Sequence, residues 1–158
     1  MQFDEFKAAP PAKRAGGNRG KVAEKLLEAA CKQLAASNVA FDWERIPDAF
    51  SSRGSVAAPR TGDLSLTLRG RACVLEVKEV EHDFRLPRKN FSLDSRARMR
   101  RRKLAGALCL VAVYHSTTKL WRLIDVDAFG TEDRGSWDFS NQPAVDLATL
   151  FQQLTVHL

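Results

Sequence analysis

Apolar side chains change their period several times along the chain, and each change marks an element. Ala23, Leu27, Ala30 and Leu34 recur at spacings of four, three and four, which puts them on one face of a helix running from about 20 to 36. Asn18 is placed to cap its start and Ser37-Asn38 to stop it. Between Asp63 and Val80 the period drops to two. Leu64, Leu66 and Leu68 alternate with polar residues, Arg-Gly-Arg intervenes, and Cys73, Leu75 and Val77 alternate again, the pattern of a hairpin. A loop at Gly70-Arg71 pairs Leu64 with Val77, Asp63 with Lys78 and Ser65 with Glu76; a loop at Arg69-Gly70 pairs Asp63 with Glu76 instead. Either register gathers the leucines on one face and makes Asp63, Glu76 and Lys78 converge.

Further along, Leu93 to Ala105 reads as a helix with a thin apolar stripe of Leu93, Ala97 and Leu104. The unbroken run Ala107 to Tyr114 suits a buried central strand, and Leu120 to Val126 suits its neighbour. Residues 130–143 read as loop, and Val145 to Leu154 as a closing amphipathic helix. Residues 44–62, with Pro47, Gly54, Pro59 and Gly62, predict a long loop, and 81–92 a connecting one. Residues 1–19, rich in Gly, Pro and basic side chains, predict a flexible basic arm. The order predicts one α/β (α+β) domain over 20–158, a central mixed sheet flanked by helices.

Composition adds limits. The 158 residues are 44% hydrophobic and 28% charged, which excludes collagen-like, wholly disordered and disulfide-scaffold classes. Cys31, Cys73 and Cys109 are odd in number and lie among apolar neighbours, which suits reduced thiols in a cytoplasmic protein. Neither an apolar leader core nor a run of about 18 apolar residues occurs, so neither signal peptide nor membrane span is expected. The charge of +6 favours polyanionic partners. It is concentrated between Arg85 and Lys103, where nine basic residues face Asp94 alone. Such density suits phosphate contacts, with Arg85, Arg88, Lys89, Arg96, Arg98, Arg100, Arg101 and Arg102 as candidates and Lys13, Arg14 and Arg19 of the arm beside them.

The candidate chemistry lies on the hairpin. Phosphodiester hydrolysis needs an activated water and screening of charge on the phosphorane oxygens, both of which Mg²⁺ held by carboxylates supplies. Asp63 and Glu76 have that chemistry, and the backbone carbonyl of Val77 is a further oxygen donor. Lys78, on the same strand face as Glu76, suits orienting water or stabilising developing negative charge. Glu24, bordering the apolar face of the first helix, is a candidate third carboxylate, with Glu28 one turn on. His82, His115 and His157 are scattered, and no His/Cys metal spacing is present. Trp43, Trp121 and Trp137 read as core.

Together these residues resemble the PD-(D/E)XK nuclease superfamily and, within it, RecU-type Holliday junction resolvases. The resemblance covers roughly 18–129. It rests on Asn18, Gly20, Lys21 and Glu24 opening the first helix, Thr61 and Asp63 beginning the hairpin, and the Arg69-Gly70-Arg71 turn. Glu76-x-Lys78 and Lys89-Asn90-Phe91 complete it. It implies a restriction-endonuclease-like core and a homodimeric, Mg²⁺-dependent endonuclease, with Mn²⁺ as a substitute, that cuts two symmetric strands of a four-way DNA junction. A recombinase is a further partner on this reading. It assigns metal to Asp63 and Glu76, water activation to Lys78 and completion of the acidic set to Glu24, and sets Thr61 beside the site. Two departures stand out: Asp94-Ser95 replaces the family's His-Gln pair, and 44–60 is shorter than the family's protruding stalk. The alternatives are a nuclease of the same superfamily acting on flaps, nicked or linear duplex, and a non-catalytic DNA-binding or recombination-modulating module.

Overall fold

The computed structural model describes residues 21–47, 61–81 and 84–158. The elements are α1 (Lys21–Ser37), β1 (Phe41–Arg45), β2 (Leu64–Leu68), β3 (Arg71–Val80), β4 (Arg85–Pro87), α2 (Leu93–Leu104), β5 (Leu108–His115), β6 (Leu120–Asp125), β7 (Ser136–Asp138) and α3 (Leu147–His157). A five-stranded sheet in the order β1-β2-β3-β5-β6 is antiparallel except at its centre, where β5 runs parallel to β3 after the α2 crossover. The short strands β4 and β7 pair separately. The arm and residues 48–60 lie outside the described residues.

The hairpin adopts the Arg69-Gly70 loop, not the Gly70-Arg71 loop. Leu64 lies opposite Leu75 and Leu68 opposite Arg71, so the Leu64–Val77 pairing is corrected by two residues. The turn explains the choice: Arg69 and Gly70 both have positive φ, 51° and 80°, the twist that a two-residue hairpin loop requires. Because the shift is even, the facial sorting survives. Leu64, Leu66, Leu68, Cys73, Leu75 and Val77 pack with Ala23, Leu27 and Leu34 of α1 and Leu150 and Leu154 of α3.

The opposite face carries a second core, in which Val74, Val111, Val113 and Ile124 of the sheet meet Phe91, Met99, Phe129 and Trp137. Trp121 and Trp137 are core residues, and Trp43 is partly buried against the first core. The three cysteines are buried and free. Burial pushes the thiols of Cys31 and Cys73 up to about 12.

β4 and β7 lie where loops were expected, and β1 lies mostly in a stretch for which no element was expected. β1 begins just before the stretch 44–62; its five residues Phe-Asp-Trp-Glu-Arg bury only Phe41 fully, too little alternation to show as a strand. β7 adds one buried residue, Trp137, to a polar segment. Each forms because a partner with free backbone groups lies alongside, which is tertiary information.

Candidate active site

Asp63 sits immediately before β2, and its position is set by backbone. Its N–H donates to Leu75 O at 2.9 Å and its carbonyl accepts from Ile46 N–H at 2.8 Å, so β1 and β3 clamp it from both sides. Gly62 makes this approach feasible. It has φ of 79°, and a Cβ there would lie 2.5 Å from Val74 Cγ1 and 3.2 Å from Leu75 O. The Asp63 side chain turns toward β3, where Oδ2 accepts from Val77 N–H at 2.7 Å.

Glu76 and Lys78 project from β3 on the side of the second core. Glu76 is buried, and its Oε1 lies 2.6 Å from Lys78 Nζ. The ammonium also sits 5.4 Å from the centre of the Phe91 ring. Burial and the neighbouring Glu76 charge push the Asp63 carboxyl up to about 7 from its ordinary 3.8. The Val77 N–H and Lys78 act against them, and Glu24 adds a smaller push in the same direction. Asp63, Glu76 and Lys78 are thus brought together, with the Glu24 charge within electrostatic reach.

Glu24 pairs across the fold with an arginine of β1. Its Oε2 accepts from Arg45 Nη2 at 2.9 Å, and Glu28 shares the same guanidinium at 3.4 Å. Arg45, at the end of the strand that the sequence hid, is the residue sequence reasoning missed here. Thr61 is half-buried just before Gly62.

The basic segment is less free than its composition implies. Arg96 is fully buried and is not placed to touch DNA, a correction to its candidacy. Its Nε donates to Phe91 O at 3.0 Å, and Nη1 to the carbonyls of Phe129, Gly130 and Glu132 at 3.3, 2.8 and 3.1 Å. Its Nη2 pairs with Asp133 at 3.4 Å, and Trp137 covers the plane at 4.9 Å. Other acids arrive from 94–138. Arg88 pairs with Glu132, Arg98 with Asp94, Arg85 with Asp138 at 3.8 Å, and Lys103 with Asp125 and Asp127. Arg100 donates to Gly130 O. Among the described residues Lys89, Arg101 and Arg102 are exposed and have no ion-pair partner. Asp94 and Ser95 occupy the first turn of α2, where Ser95 N–H donates to the Ser92 cap at 3.2 Å. Lys13, Arg14 and Arg19 lie outside the described residues.

The oxygen donors at the site are the carboxylates of Asp63 and Glu76 and the Val77 carbonyl, hard ligands of the kind Mg²⁺ takes. No group of three or more His, Cys, Asp or Glu that could hold a metal occurs among the described residues.

The mixed five-stranded sheet with helices packed on it is an α+β fold, consistent with a restriction-endonuclease-like one. The chain is similar to the solved structure of Hjc, a Holliday junction resolvase from the archaeal hyperthermophile Archaeoglobus fulgidus. The match has a TM-score of 0.57 and 20% identity, and covers 83% of this chain and 98% of that one. No protein-family model and no curated protein sequence matches the chain. Among the described residues no helix is long and apolar enough to cross a membrane.

Proposed function

We propose that this chain is a metal-dependent endodeoxyribonuclease that resolves four-way DNA junctions. The observation that carries the reading is the Asp63–Glu76 pair, part-buried at Asp63 and buried at Glu76, beside Lys78 on the hairpin of a fold shared with a Holliday junction resolvase. A part-buried carboxylate whose affinity for a proton is raised by burial and by the neighbouring Glu76 charge forms, with Glu76, a donor set suited to a divalent cation.

Asp63 and Glu76 hold Mg²⁺, or Mn²⁺ in its place, with the Val77 carbonyl as a further donor. The bound cation supplies Lewis-acid screening of the phosphate and a more acidic water. Lys78, fixed by Glu76 and the Phe91 ring, orients the attacking water and meets negative charge as it develops. Glu24, steered by Arg45, completes the acidic rim. Lys89, Arg101 and Arg102, with the basic arm, hold DNA phosphates. The motifs quoted from the sequence favour the RecU type, acting in the cytoplasm as a homodimer that sets two equivalent sites on a two-fold symmetric junction, with a recombinase as a further partner.

The test is cleavage of an end-labelled four-way junction beside matched linear, nicked and flap substrates at fixed salt in Mg²⁺, with wild type and Glu76→Ala. Paired symmetric cuts by wild type on the junction, lost in the variant while binding remains, are expected. Cuts mainly on flaps or duplex would move the substrate assignment, and binding without cuts by either protein would leave a DNA-structure-binding module.

A further inference from the structure

Phe84 is a large aromatic residue left 41% exposed, yet it makes specific contacts with buried groups. Its carbonyl accepts from the N–H of buried Phe139 at 2.9 Å, which fixes the backbone. Its ring stacks on His115, centroids 5.3 Å apart and planes 27° from parallel, and the Arg122 guanidinium lies 4.3 Å from its centre. Both supports are themselves buried, and Arg122 is held by Nε donating to Gln142 O at 3.2 Å. Val113, two residues from His115 on β5, is the cross-strand partner of Arg122, so both supports rise from one face of the sheet. The ring thus contacts two side chains that rise from one face of the sheet, while 41% of the residue stays exposed.

Phe84 packs on the side of the sheet that bears Lys78. Lys78, Val113 and Arg122 form one cross-strand row. With strands about 4.8 Å apart, Lys78 and Arg122 are ~10 Å from each other at the backbone. A span of that order covers roughly three stacked nucleotides at ~3.4 Å each. A cation under one face of an aromatic ring draws π density toward itself, which leaves the outer face better matched to an electron-rich base. Val39, Leu104 and Val156 are more exposed, but they carry no ring on which a base could stack.

We propose that Phe84 is a stacking platform for an unpaired nucleobase a few nucleotides from the cleaved phosphate, and that it favours branched or single-stranded DNA over continuous duplex. A duplex offers no free base face, whereas a strand exchange point or a single strand does. The proposal rests on the nuclease reading for its link to cleavage, but not for the binding itself.

The experiment measures binding in EDTA at fixed salt, so that no cutting occurs. The probes are a single-stranded oligonucleotide and a four-way junction carrying 2-aminopurine beside the crossover, with linear duplex as control. Phe84→Ala is expected to weaken binding to the first two by roughly 5- to 100-fold, the range base–aromatic stacking supplies, and to abolish quenching of 2-aminopurine. Duplex affinity should be unchanged, and Phe84→Trp should retain both signals, which also shows that the site tolerates substitution. Equal quenching by wild type and Phe84→Ala would overturn the proposal, as would full quenching by Phe84→Leu or an equal loss on duplex. A change in self-association with DNA affinity unaltered would overturn it too, and make the ring a contact between copies. Wild type that quenches 2-aminopurine yet cuts no DNA in Mg²⁺ would defeat the nuclease reading and leave the platform standing. Junction cutting with no effect at Phe84 would do the reverse.

Discussion

Arg96 is fully buried charge and the Asp63–Glu76 pair is charge part-buried at Asp63 and buried at Glu76, and the protein solvates them in opposite ways. Arg96 meets four backbone carbonyls, one carboxylate and an indole face, a nearly complete shell for a guanidinium. Asp63 has one side-chain hydrogen bond from the described residues and Glu76 one ammonium, far short of the four or so lone-pair sites each carboxylate offers. The complete shell turns charge into architecture: Arg96 ties α2 to the segment 129–133. On the proposed function, the carboxylate lone pairs that the protein leaves unused would take up the cation.

Removing each charge should therefore have opposite consequences. Arg96→Ala orphans several buried carbonyls and opens space beneath Trp137, and should lower stability by about 3–5 kcal/mol in urea unfolding. A loss below ~1 kcal/mol would erase the distinction. Glu76→Gln should abolish cutting, by at least ~100-fold, while the metal-free protein melts no lower than wild type, because one of two repelling carboxylates is gone. A variant that cuts normally, or unfolds like Arg96→Ala, would show that Glu76 is structural.

Gly62→Ala stands between these cases. The added methyl meets Val74 and the backbone of Leu75, and the residue must keep a positive φ, so a loss of about 1–3 kcal/mol is expected. Because the strain falls next to Asp63, cutting should drop more than the melting temperature predicts. If activity merely tracked the folded fraction, Gly62 would have no part in aiming Asp63.

Acidity offers a further separation. The Asp63 carboxyl is held near 7 when folded and near 3.8 in its ordinary state, so folding takes up a proton between those values. Its contribution is full below about 3.8 and is lost as pH rises through about 7, by up to a few kcal/mol without divalent cation. Asp125, lowered by Lys103, works in the opposite sense at still lower pH. Stability followed by melting in EDTA should fall from pH 4 to 7, and Glu76→Gln should flatten the slope. A flat wild-type profile would mean that Asp63 is already fully solvated or paired.

The parts that the sequence displays are those coded by neighbours. The period-two leucines, the apolar run 108–114 and the α1 stripe each carry their own face, and the Asp63, Glu76 and Lys78 cluster follows from strand alternation in either register. Choosing between registers needed the backbone dihedrals at Arg69. What stayed hidden depends on partners far along the chain. Arg45 reaches Glu24 across 21 residues, and Arg96 reaches Gly130 across 34. Nine basic residues against one acid looked like an open phosphate face, because five of the neutralising acids come from 125–138.

That last point sets the smallest expected effect and the clearest refinement of the comparison. A cation already paired within the protein releases few counterions on binding DNA, whereas a free one releases about one for each phosphate it meets. Lys89→Gln, Arg101→Gln and Arg102→Gln should each weaken junction binding uniformly across sequences. Each should also reduce the slope of log affinity against log salt by roughly 0.9. Arg85→Gln, whose partner Asp138 is freed by the change, should move the slope less, and Arg100→Gln less again because its guanidinium donates to Gly130. Equal changes at all five positions would mean that the ion pairs open on DNA. The segment would then act as the uniform basic face its composition suggests, and only Arg96 would stand apart.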